Sequence, residues 1–188
     1  QIGIAPIIEL LEKGVDVILS GRACDTAIYA APCIFEGYDE GLAFHMAKIM
    51  ECGAMCSEPV AAADVMQAYM YDDYFELRPA NPIRKCTVDR VAAHTLYEQS
   101  NPYLIFEPDG VCDLTNSTFQ QVDDRTVRVS GSVFTEAAQP TLKLEGVKCS
   151  GYRTICPATI YDPLTIENID KIIGIVVDFV KATTKNTL

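Results

Sequence analysis

The sequence predicts an α/β protein: a layered α/β amino-terminal part, then a strand-rich α+β part ending in a long helix. Three observations carry this. Apolar residues recur at helical spacing on both sides of the β-branched run at 15–19. From residue 66 onward, period-2 alternation appears in short runs bounded by turn residues. From Asp162 the apolar residues return to helical spacing and keep it almost to the end of the chain.

The elements follow in order. Pro6 suits the first turn of a helix whose apolar side is Ile7, Ile8, Leu10 and Leu11, and Gly14 suits its C-terminal cap. Val15-Asp16-Val17-Ile18-Leu19 reads as a buried strand ended by Gly21. A second helix starts at Asp25 or Thr26, both good cap residues, and Pro32 kinks or ends it. A third covers 42–51, with Leu42, Met46, Ile49 and Met50 at helical spacing, and Gly53 ends it. Residues 66–77 read as two strands around Asp72-Asp73, closed by Pro79 and Pro82. A helix over 86–98 is capped by Thr87, and its apolar face is Val88, Val91, Ala92, Thr95 and Leu96. Strands are expected at 103–106, 118–122, 126–130, 141–147 and 152–160, with Asp123-Asp124 as a hairpin turn. Asp162-Pro163 starts the last helix, which runs to about Thr183 with Ile166, Ile169, Ile173, Val176, Val177 and Val180 in one stripe. Two portions are expected, 1–80 (α/β, truncated at its amino end) and 81–188 (mixed, strand-rich, with the carboxyl-terminal helix).

Composition narrows the function classes. The 188 residues carry 15 Lys plus Arg and 26 Asp plus Glu, a net charge of −11. Such an acidic chain argues against nucleic acid and against anionic membrane surfaces, which both need a basic face. No apolar stretch approaches the roughly 20 residues of a spanning helix. The chain opens on Gln1 without a signal-like segment and reads as a fragment of a longer protein. Its eight cysteines include no C-x-x-C pair. Cys52 and Cys56 would share a helix face but have no ligating partner nearby. Reduced thiols, a cytoplasmic setting and no bound metal are the expectation.

The segment 19–27, around Gly21, Arg22, Asp25 and Thr26, is the clearest candidate site. It sits at the carboxyl end of the expected strand and the amino end of a helix, where open α/β sheets bind ligands. Free N–H groups, the helix dipole and the Arg22 guanidinium all suit a carboxylate or phosphate. An ordinary strand–loop–helix joint with a surface Arg22–Asp25 pair explains the same residues. Phosphate-loop, dinucleotide-binding and nucleophile-elbow motifs are absent. Cys24 at the helix start reads as a stabilised thiolate or as a buried inert thiol. His94 lies off the apolar stripe, beside Arg90 and Glu98 at four-residue spacing, so it is expected away from the core. It reads as a general acid or base tuned by Glu98, or as one rung of a solvated charge ladder. His45 is expected at a surface or an interface. Lys143, Glu145 and Lys148 read as the polar side of a strand whose other side is Leu142 and Leu144.

Several stretches together resemble the acyclic terpene utilisation (AtuA-type) family. They are Val17-Ile18-Leu19-Ser20-Gly21-Arg22-Ala23-Cys24-Asp25-Thr26-Ala27 with Ala31-Pro32, then Met50-Glu51-Cys52-Gly53-Ala54, then Val91-Ala92-Ala93-His94-Thr95-Leu96-Tyr97-Glu98. The segments 124–132, 141–146 and 151–154 continue the series into the β-rich half. Met55-Cys56-Ser57-Glu58-Pro59 departs from the Gly-rich loop the family usually carries there. The resemblance implies catabolism of branched terpenoid acids, hence a small carboxylate or acyl-CoA ligand. With no redox or nucleotide motif, it implies a lyase or hydratase-type step without a cofactor. Arg22 would hold the carboxylate, with His94 and Glu98 as the proton-transfer pair. The competing reading is a non-catalytic assembly or ligand-binding domain of a larger enzyme, with the last helix serving homo-oligomer formation.

Overall fold

The computed structural model describes residues 1–60, 64–153, 155 and 157–184. By internal packing the chain divides into two compact units, Gln1–Glu145 and Gly146–Leu188. The first holds α1 (Ala5–Glu12), α2 (Ala27–Phe35), α3 (Glu40–Met50), a 3₁₀ turn at Gly53–Cys56, β1 (Met66–Met70) and β2 (Tyr74–Pro79). It continues through α4 (Val88–Thr95), β3 (Leu104–Glu107), β4 (Gly110–Asp113), β5 (Thr118–Gln121), β6 (Val127–Ser130) and β7 (Val133–Glu136). The second holds α5 (Pro163–Glu167) and α6 (Ile169–Thr184). Helices combine with two antiparallel sheets, so the predicted α/β class holds. Among the described residues no helix is long and apolar enough to cross a membrane.

Local chemistry accounts for most boundaries. Pro6 lies in the first turn of α1, and Gly14 follows its end at φ +67°, a conformation costly for a side chain with a Cβ. Asp39 caps α3 by accepting from the Leu42 N–H at 2.9 Å. Thr87 caps α4 the same way, from the Arg90 N–H. Pro32 does not end α2: the helix runs on to Phe35. The carbonyl that loses its donor there belongs to Ile28, which lies on the exposed side of the helix.

α3 is the centre of the first unit. Ala43, Phe44 and Ala47 pack with α1, α2, Ile105 of β3 and Cys112 of β4. Leu42, Met46 and Ile49 pack on the opposite side with Phe75, Leu77, Val127 and Val129 of the larger sheet and with Val91 of α4. That sheet runs β1-β2-β6-β5, and Phe75 pairs with Val129 and Leu77 with Val127, so one face is continuously apolar. Each of these fully buried side chains contributes about 1.5–3 kcal/mol. The smaller sheet runs β3-β4-β7. Gly41 lets α3 approach the β6–β7 turn closely: a Cβ there would stand 2.6 Å from the Ser132 carbonyl oxygen.

Three expected strands do not form. Residues 15–19 carry no regular structure, and Val17 and Leu19 are almost fully exposed. Backbone pairing near them is a single parallel bridge between Ile2 and Ala23. A β-branched run becomes a strand only beside another strand that takes up its N–H and C=O groups, and among the described residues none flanks this one. Residues 141–147 and the described part of 152–160 are likewise irregular and exposed; Thr154 and Cys156 lie outside the described residues. The short strands β4 and β7 went unanticipated. The last helix forms as expected, broken at Asn168, with Asp162 accepting from the Thr165 N–H at 2.7 Å.

Candidate functional site

A polar cavity of about 270 Å³ lies in the first unit, where the start of α2, the end of α3, the segment after α4 and the end of β3 converge. α3 supplies Lys48 and Glu51. They face one way because they are three residues apart on a helix, and they form an ion pair whose side chains are 6% and 11% exposed. β3 supplies Glu107. Alternation along the strand turns Ile105 and Glu107 inward together, so the carboxyl is carried into the core on the register of an apolar neighbour.

The electrostatics follow from this burial. Desolvation pushes the Glu107 carboxyl up to about 7, with a further push from Glu51. Lys143 and the nearby Thr26 and Cys24 side chains offset part of it. Burial also raises Glu51, and the Lys48 ammonium offsets that. Cys24 is driven up to about 11, first by burial and then by the field of Glu107. It is a neutral thiol at physiological pH, and the thiolate reading of Cys24 is corrected accordingly. Thr26 begins α2 without capping it. Its Oγ1 is buried, faces the cavity and makes no hydrogen bond of normal length, although it lies near enough to Glu107 to lower that carboxyl's pKa.

The wall after α4 is formed by Glu98, Gln99 and Ser100. Glu98 has φ +57°, the sole positive value at a non-glycine among the described residues. Strained backbone of this kind persists where the surroundings over-determine it, and it clusters at functional sites. The outer edge is formed by Gln1 and the irregular segment after Thr141: the Lys143 N–H donates to the Gln1 carbonyl at 3.1 Å and Gln1 Nε2 donates to Glu145 at 2.9 Å.

Asp25, Thr26 and Glu98, three of the residues singled out from the sequence, therefore line one cavity. Gly21 lines an adjoining depression shared with Asp25 and Glu51. Arg22 is not paired with Asp25. Its guanidinium is 70% exposed and bonds Glu145 at 2.9 Å, at the edge of the cavity. The expected strand end behind this segment is absent, so its backbone is held by the Ile2–Ala23 bridge instead.

Both histidines are more buried than expected. His94 is 7% exposed, stacks on Tyr97 with ring centroids 5.4 Å apart, and has an Nε2 without a hydrogen-bond partner. Burial lowers its pKa, and Lys48 and Arg90 add to that; Glu98 has left the helix and is not its electrostatic partner. His45 is fully buried between Ser132 Oγ at 2.7 Å and Thr95 Oγ1 at 3.1 Å, and desolvation drives it down to about 3. A helical wheel places a residue relative to its own stripe, but α3 is covered on every side.

Sequence reasoning missed Lys48, Glu51 and Glu107, and it read Lys143 and Glu145 as mere strand alternation. Two signals were present: an opposite-charge pair three apart in an otherwise apolar helix, and a carboxylate in the inward register of Leu104-Ile105-Phe106-Glu107. Cys52 and Cys56 do not share an α-helix: α3 ends at Met50, and Cys52 precedes and Cys56 ends the 3₁₀ turn Gly53–Cys56. The seven described cysteines are free, and Cys156 lies outside the described residues.

The family described as acyclic terpene utilisation family protein AtuA has a model that matches residues 1–72 and 79–186. All the segments quoted above for the resemblance lie within those ranges. No curated protein matches the chain, and no solved structure does.

Proposed function

The chain belongs to the acyclic terpene utilisation family, and from that premise we propose a catabolic enzyme of the hydratase or lyase type, acting on a small branched carboxylic acid or its acyl-CoA thioester. The observation that carries the reading is the placing of Glu107. A carboxyl 9% exposed on the wall of a polar cavity, held near 7, is present as both acid and base at neutral pH. A proton-transfer group works best at that balance.

In the hydration direction, the oxygen of a water molecule bonds to the β-carbon of an unsaturated acyl group while a carboxylate takes its proton. The Glu107 carboxylic acid delivers a proton to the α-carbon; elimination is the reverse. Glu98 serves as the carboxylate. His94, outside the cavity lining but within the field of Lys48, serves as a proton carrier, and the Lys48 ammonium, held by Glu51, stands on the cavity wall. Arg22, with Asp25 and Gly21 beside it, receives the ligand's charged end at the cavity edge. Free thiols at the described cysteines support a cytoplasmic setting.

The test is hydration of a branched 2-enoyl-CoA, followed by loss of the conjugated absorbance. Wild type should show a rate inflection near pH 7, and Glu107→Gln should lose the reaction. A wild type without hydration activity, or a Glu107→Gln variant at full rate, overturns the reading.

A second reading, a non-catalytic assembly or ligand-binding domain of a larger metabolic enzyme, has one observation in its favour. The α6 residues Ile173, Val176, Val177 and Val180 form a stripe in which each remains 41–53% exposed. In that reading the stripe is a homo-oligomer contact. Light scattering of Val176→Glu against wild type tests this contact: a smaller mass for the variant supports it, and an unchanged mass overturns it.

A further inference from the structure

Resting on the reading above, we infer that the cavity accepts the acyl group as a neutral thioester carbonyl rather than a free carboxylate, with the carbonyl oxygen on the Thr26 hydroxyl.

Thr26 is 3% exposed and lines the cavity, and its Oγ1 makes no hydrogen bond of normal length, being only near enough to Glu107 to hold that carboxyl's pKa down. Its backbone carbonyl is already used, accepting from the N–H groups of Tyr29 and Ala30 in the first turn of α2. The hydroxyl, drawn only weakly toward Glu107, is therefore the donor at this point of the wall that an incoming acceptor can take up. A buried hydroxyl left unpaired is costly, and that cost is recovered when an acceptor arrives. α2 is nine residues long, and the field at its amino end adds to the polarisation of an oxygen seated on Thr26.

The charge inventory selects between the two forms of the acyl group. Asp25, Glu51, Glu98 and Glu107 stand on the wall. Lys48 is taken up by Glu51, and Arg22 by Glu145. The field of Lys143 already falls on Glu107 and Glu51. A free carboxylate entering this cavity would meet an excess of negative charge in a partly desolvated site, where repulsion is poorly screened. A thioester carbonyl carries no net charge and needs only a donor. Its α-hydrogens are also more acidic than those of a carboxylate, as proton transfer at the α-carbon requires. The phosphates of a coenzyme A handle remain outside the cavity, where Arg22 exchanges its exposed Glu145 partner for them.

The experiment compares S-isovaleryl-N-acetylcysteamine, a small neutral thioester, with isovalerate by titration calorimetry. Wild type should bind the thioester more tightly than the acid. Thr26→Val should weaken thioester binding about tenfold, while Thr26→Ser retains it. Because the hydroxyl makes no full hydrogen bond in the unliganded protein and valine keeps its volume, Thr26→Val should retain a cooperative melting transition, so that weaker binding reports the lost donor. Equal or tighter binding of isovalerate to wild type, or unchanged thioester binding in Thr26→Val, overturns the inference. Thioester binding without any hydration overturns the reaction proposed above and leaves this site standing.

Discussion

Replacing Glu107 by Gln should change how stability depends on pH, and the size of the change follows from where the carboxyl sits. In the unfolded chain this group titrates near 4.5; in the cavity it titrates near 7. Across the interval between, the folded protein holds a proton that the unfolded chain has released. The associated stability is therefore fully present below pH 4.5, is lost as pH rises toward 7, and is gone above it. At about 1.4 kcal/mol per pH unit, the ceiling is about 3 kcal/mol. His45 acts in the opposite sense. Its pKa falls from 6.5 to about 3 on folding, so its contribution is complete above pH 6.5 and is lost as pH falls toward 3. Between pH 4.5 and 6.5 the two groups offset each other in wild type. Every other shifted group is shared by the two proteins, so the wild-type-minus-variant difference isolates Glu107. Urea unfolding at pH steps across that window should show this difference falling by up to about 3 kcal/mol as pH rises from 4.5 to 7. A constant difference between the two proteins at every pH would refute the reasoning, because Glu107 would then titrate as an ordinary exposed carboxylate.

Three other perturbations have expected outcomes. Lys48→Met strands Glu51 in a nearly sealed position and should cost about 3–5 kcal/mol in chemical denaturation, with much of it restored in Lys48→Met/Glu51→Leu. Gly41→Ala drives a methyl group against the Ser132 carbonyl and should cost about 1–3 kcal/mol in the same assay, since the opposing atoms are backbone. Arg22→Ala removes only an exposed ion pair, so stability should move by less than about 0.5 kcal/mol. Its affinity for isovaleryl-CoA, measured by calorimetry, should fall about tenfold.

The parts of the fold legible in the sequence were those whose chemistry is local. Pro6 with Gly14, Thr87 and Asp162-Pro163 each mark a helix end through groups within a few residues. The Asp72-Asp73 and Asp123-Asp124 turns likewise place β1–β2 and β5–β6 as antiparallel neighbours. What was illegible depends on partners distant in the chain. Residues 15–19 are a β-branched run and 141–147 alternate as strands do, but either pattern only says that a segment could serve in a sheet; a neighbour has to be there. β4 and β7 are four residues each, too short for their period to stand out, and they exist because β4 pairs with both β3 and β7. The site divides in the same way. Asp25, Thr26 and Glu98 were found because they sit at helix ends or beside another titratable group. Glu107 and Lys48 become chemical only when tertiary packing closes the cavity around them.

The central claim is that Glu107 hands a proton to the α-carbon of a thioester bound in this cavity. Hydration of a branched 2-enoyl-CoA in deuterium oxide, read by mass spectrometry and NMR, tests it most directly. The predicted product carries its new deuterium at the α-carbon and its hydroxyl at the β-carbon, and Glu107→Gln forms none above the uncatalysed rate. Wild type that forms no such product, or Glu107→Gln that labels the α-carbon as fast as wild type, would contradict the account.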